Sequence, residues 1–153
     1  MKILLQITVA LLILAGLAAC TQNDEVIGKR FGQWRVTGID INGTPDAEYQ
    51  GNMFWCFQAK VIEMQLCSEN PYAGTIKVSF GGCTKEGDKL MLDFRNSDAA
   101  NPEGSPYYSP LPESHLPSIS LITLRIVSAS SKHMELEYTG ENETINYYLK
   151  KWD

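Results

Sequence analysis

A side-chain period of two dictates the architecture of this chain. Between residues 33 and 152, apolar and polar residues alternate in runs of seven to nine, separated by Gly, Pro, Asn and Asp, and no window sustains a helical period. Alternation sends successive side chains to opposite faces, so such runs read as strands with one buried and one solvated face. Eight strands are predicted, over residues 33–41, 52–58, 61–67, 74–81, 88–95, 120–128, 133–139 and 144–152. No internal repeat or second domain interrupts them.

Pairing tests whether these runs share one core. In an antiparallel hairpin the paired residues have a constant index sum and face the same side. On that rule Ile62, Met64 and Leu66 align with Phe80, Val78 and Ile76. The same three residues of the fourth strand align onward with Leu90, Leu92 and Phe94. Ile122, Leu124 and Ile126 align with Tyr138, Leu136 and Met134, which align in turn with Ile145, Tyr147 and Leu149. The other face is polar, with Gln65 expected opposite Lys77 and Arg125 opposite Glu135. One apolar face carried through successive hairpins implies an up-and-down meander. The predicted fold is all-β, an eight-stranded antiparallel barrel, because closure removes exposed edges. A two-sheet sandwich is the alternative. The expected interior includes Trp34, Met53, Trp55, Phe57, Phe80, Phe94, Tyr138 and Tyr147, large enough to fill a barrel of this size.

Composition narrows function. The chain has 153 residues, 44% hydrophobic and 20% charged, which is a globular composition for one domain. A net charge of −5 and no basic stripe exclude nucleic acid as a partner. Four Cys and two His occur without Cys-x-x-Cys or His-Glu-x-x-His, so no metal site and no cofactor are predicted. There is no Gly-x-Ser-x-Gly and no phosphate loop. Glu113, Ser114 and His115 adjoin, but sequence neighbours rarely form a triad. Glu63, Asp93, Glu135 and Glu137 fall on outward, solvated faces. No catalytic residue is predicted and the chain is read as a non-enzyme. Asn42-Gly43-Thr44 and Asn142-Glu143-Thr144 read as turns.

Residues 1–19 (MKILLQITVALLILAGLAA) carry a positive start and an apolar core too short for a membrane span. The segment ends Leu17-Ala18-Ala19-Cys20, which resembles the lipobox of bacterial lipoproteins. The resemblance implies cleavage before Cys20, acylation of that residue and anchoring in a membrane through its acyl chains. Residues 20–27 then form a polar tether and 28–153 the barrel domain. No Asp follows Cys20, which in lipoproteins of this kind points to the outer membrane, its leaflet left open.

The first strand opens Gly32-Gln33-Trp34, and the last runs from Tyr147 to Trp152. Gly-x-Trp at that place, with eight meandering strands, resembles the lipocalins, and with the lipobox it resembles lipocalin-like lipoproteins of Gram-negative anaerobes. The resemblance covers residues 28–153 and implies a barrel binding a small apolar or amphipathic ligand. The chain is shorter than true lipocalins and shows no helix between its last strands. Lys151 falls beside Trp34, either over the indole, as an Arg lies in lipocalins, or exposed at the terminus.

Topology separates two ends. Links 59–60, 82–87 and 129–132 lie with Trp34 at one end; 42–51, 68–74, 96–119 and 140–143 lie at the other. Long loops at one rim mark that rim as the binding surface. The candidate ligand contacts are Tyr49, Tyr72, Tyr107, Tyr108 and His115 on those loops, with Met53 and Leu66 below. Residues 96–119 hold Pro102, Pro106, Pro110, Pro112 and Pro117, which exclude regular structure and leave a functional lid, a plain cover or a disordered flap. A filled barrel that contacts an envelope protein or glycan is the competing function. Among the thiols, Cys56 and Cys83 lie at the same end and form the candidate disulfide; three unpaired thiols are the alternative.

Overall fold

The alternating runs become strands. The computed structural model describes residues 32–68 and 74–152; the predicted signal segment, Cys20, the tether and Tyr72 lie outside the described residues. The strands are β1 (Gly32–Ile41), β2 (Thr44–Pro45), β3 (Met53–Gln58), β4 (Val61–Cys67), β5 (Thr75–Glu86), β6 (Lys89–Asp93), β7 (Leu121–Ala129), β8 (His133–Thr139) and β9 (Thr144–Lys151). All pairings are antiparallel in the order β2-β1-β3-β4-β5-β6-β7-β8-β9, and β1 also pairs with β9. Eight long strands thus close into a barrel, with β2 a two-residue ribbon on β1. The sandwich alternative is excluded by that closure.

Both faces of β1 are set by one bulge. Trp34 and Val36 face inward opposite Lys151 and Leu149; after a register shift between Val36 and Gly38 the inward residues become Ile39 and Ile41, opposite Tyr147 and Ile145. An extra residue flips the parity of a strand, so both apolar pairs reach the same core. The interior is filled: Trp34, Trp55, Phe57, Tyr147, Met53, Met64, Ile62, Leu90 and Leu92 are fully buried. The indole N–H of Trp55 donates to Met53 Sδ at 3.2 Å, so this buried donor is satisfied within the core.

The expected registers fare unevenly. β8 and β9 pair as expected, Met134 with Leu149 and Tyr138 with Ile145. β7 keeps its face but slides by two residues, so Arg125 meets Glu137 rather than Glu135, and a bulge follows Ile126. β5 corrects the expectation more deeply. It runs on to Glu86, and the turn is the two-residue Gly87-Asp88, with Gly87 at φ 60°. That turn sets Glu86 opposite Lys89 and reverses the face of β5. Cys83, Gly81 and Ser79 point inward, whereas Ile76 is 62% exposed and Phe80 faces outward. Gln65 accordingly lies opposite Val78, not Lys77. Phe94 is buried in the interior as expected, whereas Phe80 is not. The Phe94 ring rests on Gly81, where a Cβ would lie 2.9 Å from Phe94 Cε1.

The short links, 59–60, 87–88 and 130–132, gather at one end with Gly32 and Trp34. Lys151 Nζ lies 4.8 Å from the centre of the Trp34 ring. Gly32 explains the glycine of the Gly-x-Trp pattern. Its φ is +107°, and a Cβ there would stand 2.7 Å from Lys151 Nζ. A side chain would therefore meet strain and displace the ammonium from the indole face. On the outer wall, Phe54 is covered by Trp152, edge to face at 5.2 Å.

Candidate functional site

Residues 94–120 form the long connection that covers the other end. Two prolines start its two helical turns, 3₁₀ helices at Pro106–Tyr108 and Pro112–Ser114. Proline suits such starts because its missing N–H would have had no intrahelical partner. Within this polar stretch Leu111 and Leu116 are buried and join the barrel core. His115, between them, adopts left-handed backbone at φ 58° and turns the chain.

Ser114 holds the turn together. Its hydroxyl donates to Leu111 O at 2.6 Å and accepts from the Leu116 N–H at 3.2 Å. Tyr147 Oη rises from β9 to donate to Ser114 O at 2.7 Å. Burial pushes the Tyr147 hydroxyl far above its ordinary value, so it remains a proton donor throughout the physiological range. Two polar contacts tie the same segment to the rim. The Lys77 ammonium meets the Glu113 carboxylate, and His115 Nε2 lies 2.9 Å from Asp46 Oδ2. The loop therefore covers the mouth, with Leu111 and Leu116 as an apolar plug and polar contacts at the rim.

Beside the plug opens a cleft of about 300 Å³, lined by Tyr49, Leu66, His115, Asp46, Glu48 and Glu113 among others. That volume lies at the lower end of small-molecule sites, roughly 300–1,000 Å³. Three of the sequence-predicted residues meet here: Tyr49, Leu66 and His115. Met53 lies fully buried below. The Tyr49 hydroxyl is already engaged, donating to Val36 O at 2.7 Å and accepting from the Met53 N–H at 3.3 Å. On the inner wall, Ser79 Oγ is buried without a hydrogen-bond partner among the described residues. It is the next inward position on β5 below Lys77.

Tyr107 and Tyr108 are not at the mouth. Tyr107 packs on outward-facing Phe80 at 4.9 Å, and Tyr108 meets Tyr107 edge to face while donating to Asp98 Oδ2 at 2.8 Å. They sit on the outer wall because β5 presents Phe80 there. Between loop and wall runs a groove of about 660 Å³, lined by Lys77, Val78, Tyr107, Pro110, Leu111 and Pro112 among others.

Three residues that adjoin in sequence diverge in space. Glu113 turns to Lys77, His115 to Asp46, and the Ser114 hydroxyl to Leu111 O. No nucleophile–base pair forms from them. Among the described residues no three metal-ligating side chains converge. The candidate disulfide is also corrected: Cys56, Cys67 and Cys83 are all free. Cys83 points into the core, whereas Cys56 lies between inward-facing Trp55 and Phe57 and so faces outward. The barrel wall separates them. Burial pushes both thiols up to about 12.

The plug was missed in the sequence, though a signal existed. Leu111 and Leu116 each precede a proline within an otherwise polar run, SPLPESHLPS. Apolar residues repeated in a polar loop mark points where the loop returns to the core. Asp46 and Lys77 carry no comparable local mark.

Comparison with known proteins agrees with this geometry. The family described as a lipocalin-like domain matches residues 13–152. A lipocalin-like protein from Bacteroides uniformis superposes with a TM-score of 0.57 at 18% identity, covering 82% of this chain and 100% of that one. A protein from Bacteroides eggerthii superposes with a TM-score of 0.58 at 15% identity, covering 80% and 99%. At these identities the likeness concerns the fold. No curated protein matches the chain.

Proposed function

The chain belongs to the lipocalin-like domain family, and from that premise we propose that it is a non-enzymatic binding protein of the cell envelope. It is anchored in the outer membrane through acyl chains on Cys20 and takes a small amphipathic ligand at the long-loop end. One observation supports this reading: the mouth is covered by a loop rather than by strands. Its hold includes two leucines, one buried hydrogen bond, the Lys77–Glu113 ion pair, the His115–Asp46 contact and Tyr107 packed on Phe80. Lifting the plug frees Tyr147 Oη and opens the top of the inner wall. Ser79 Oγ, buried without a partner, lies on that wall, and an unpaired buried hydroxyl costs about 1–3 kcal/mol that a polar ligand group offsets.

The rim also selects the ligand's polar end. Asp46, Glu48 and Glu113 line the cleft with His115 as its basic member. A neutral or cationic head suits this rim better than a carboxylate. The apolar part binds by burial, at about 25 cal/mol per Å².

A second reading is favoured by the core itself. Trp34, Trp55, Phe57 and Tyr147 fill the barrel, which would then act as a scaffold whose loops contact an envelope protein or glycan. Native mass spectrometry of protein purified from its own envelope separates the two. Binding requires a bound small molecule, or uptake of an uncharged amphipath such as monoolein that strengthens in Leu116→Ala. Absence of both supports the scaffold.

A further inference from the structure

The two ends of the barrel carry opposite charge. Six of the seven lysines within the described residues, Lys60, Lys85, Lys89, Lys132, Lys150 and Lys151, lie on or beside the short links and the end of β9. Among the described residues of these links, only Glu86 and Asp88 oppose them. The mouth-side connections 42–52, 94–120 and 140–143 hold seven carboxylates against Arg95. An overall charge of −5 conceals this polarity. Lys60, Lys89, Lys132 and Lys150 are exposed, so their charges face solvent rather than partners in the core.

The chain enters the barrel at this same basic end. Gly32 begins β1 there, and Cys20 precedes it by twelve residues, with Lys29 and Arg30 in between. Twelve residues span at most about 40 Å when extended. A tether of that length reaches the bilayer in many orientations and does not choose among them. The lysines do.

We propose that the short-link end is a docking surface for an anionic membrane. It holds the barrel upright on the bilayer, with the lidded mouth directed away from the lipid. The inference rests on the acyl anchor at Cys20 only for delivering the barrel to the surface; the orientation follows from the charges. A lysine held near an anionic surface strengthens partition about fivefold. Six lysines together outweigh the acids at this end, while the acidic mouth is repelled. A mouth so directed exchanges its ligand with the aqueous compartment or a facing protein, not with the membrane that carries it.

Pulsed amine labelling of the full acylated protein tests this, on vesicles of phosphatidylcholine alone and with phosphatidylglycerol added. On anionic vesicles, labelling of Lys60, Lys89, Lys132 and Lys150 is expected to fall at least about fivefold, while Lys77 at the mouth serves as the unprotected reference. Salt at about 0.5 M restores labelling, because the Debye length then shrinks to a few ångströms. The double variant Lys132→Glu, Lys150→Glu, both on exposed positions, loses the protection. Equal labelling on both vesicles, or protection of Lys77 instead, overturns the proposal. The intact mass of the same preparation reports acylation separately. Protein found without acyl chains is mixed with the same vesicles, so the charge argument is read even if the anchor at Cys20 fails.

Discussion

Removing a single oxygen atom from Tyr147 should open the lid and leave the barrel standing. In Tyr147→Phe the ring remains, packed on Trp55 at 4.9 Å. What is lost is the 2.7 Å hydrogen bond to Ser114 O, between two residues that are fully buried. Ser114 O is then left without this donor in an apolar setting. Loss of one partner from a buried neutral hydrogen bond costs about 1–3 kcal/mol. That equals about a 5- to 150-fold rise in the open population, at a factor of ten per 1.4 kcal/mol. Because Ser114 belongs to the lid and not to a strand, the cost falls on local opening. Native-state hydrogen exchange reads it. The amides of Ser114 and Leu116, which donate to Leu111 O and Ser114 Oγ, should lose protection by that factor. Amides within β8 and β9 should change less than twofold. The reasoning is refuted if the lid amides keep their protection. It is refuted equally if lid and strand amides lose protection together, since the lid would then be part of one cooperative unit.

Gly81→Ala places a methyl against Phe94 and the Asp93 carbonyl; overpacking of about 1–3 kcal/mol is expected, seen as a lower denaturant midpoint, and an unchanged midpoint argues against the inward face assigned to Gly81. Cys56 and Cys83, raised to about 12 chiefly by burial, should hold about one thiolate in ten thousand at pH 8. Both should resist iodoacetamide until the protein unfolds, and a bridged peptide in an unreduced map contradicts this. The lid latches are acid-labile. The Glu48 N–H and then His115 hold Asp46 below its ordinary value; at Glu113 burial raises the pKa, but the Lys77 hydrogen bond, the residue's own backbone N–H and the Lys77 charge together outweigh it. Carboxylates depressed in the folded state stabilise above their unfolded values, near pH 4, and lose that contribution as pH falls through the folded ones. Methyl resonances of Leu111 and Leu116 should therefore shift as pH drops from about 4 to 2, before the barrel unfolds. The effect is modest because both pairs are partly exposed and screened. Resonances that move only with global unfolding would speak against it.

The division between sequence and structure follows from the range of the interactions. Alternation is local: each residue's polarity reports its own exposure, so the strands, the meander and the two ends of the barrel were all legible. The register of β8 with β9 was legible too, because the turn between them adds no bulge. The faces of β5 were not. Its apolar residues Ile76, Val78 and Phe80 matched the wrong side because the Gly87-Asp88 turn and the Phe94 ring over Gly81 determine the register, and alternation carries no record of either. From that one reversal follow the outward Phe80, the displacement of Tyr107 and Tyr108 from the mouth, and the inward Cys83 that cannot reach Cys56. The lid is the other case. Five prolines announced an irregular segment, but its fate rests on contacts tens of residues away, from Tyr147 to Ser114, Lys77 to Glu113 and Asp46 to His115. Local chemistry gave this chain its strands; only packing across the barrel decided which side chains they turned inward and what closed the mouth.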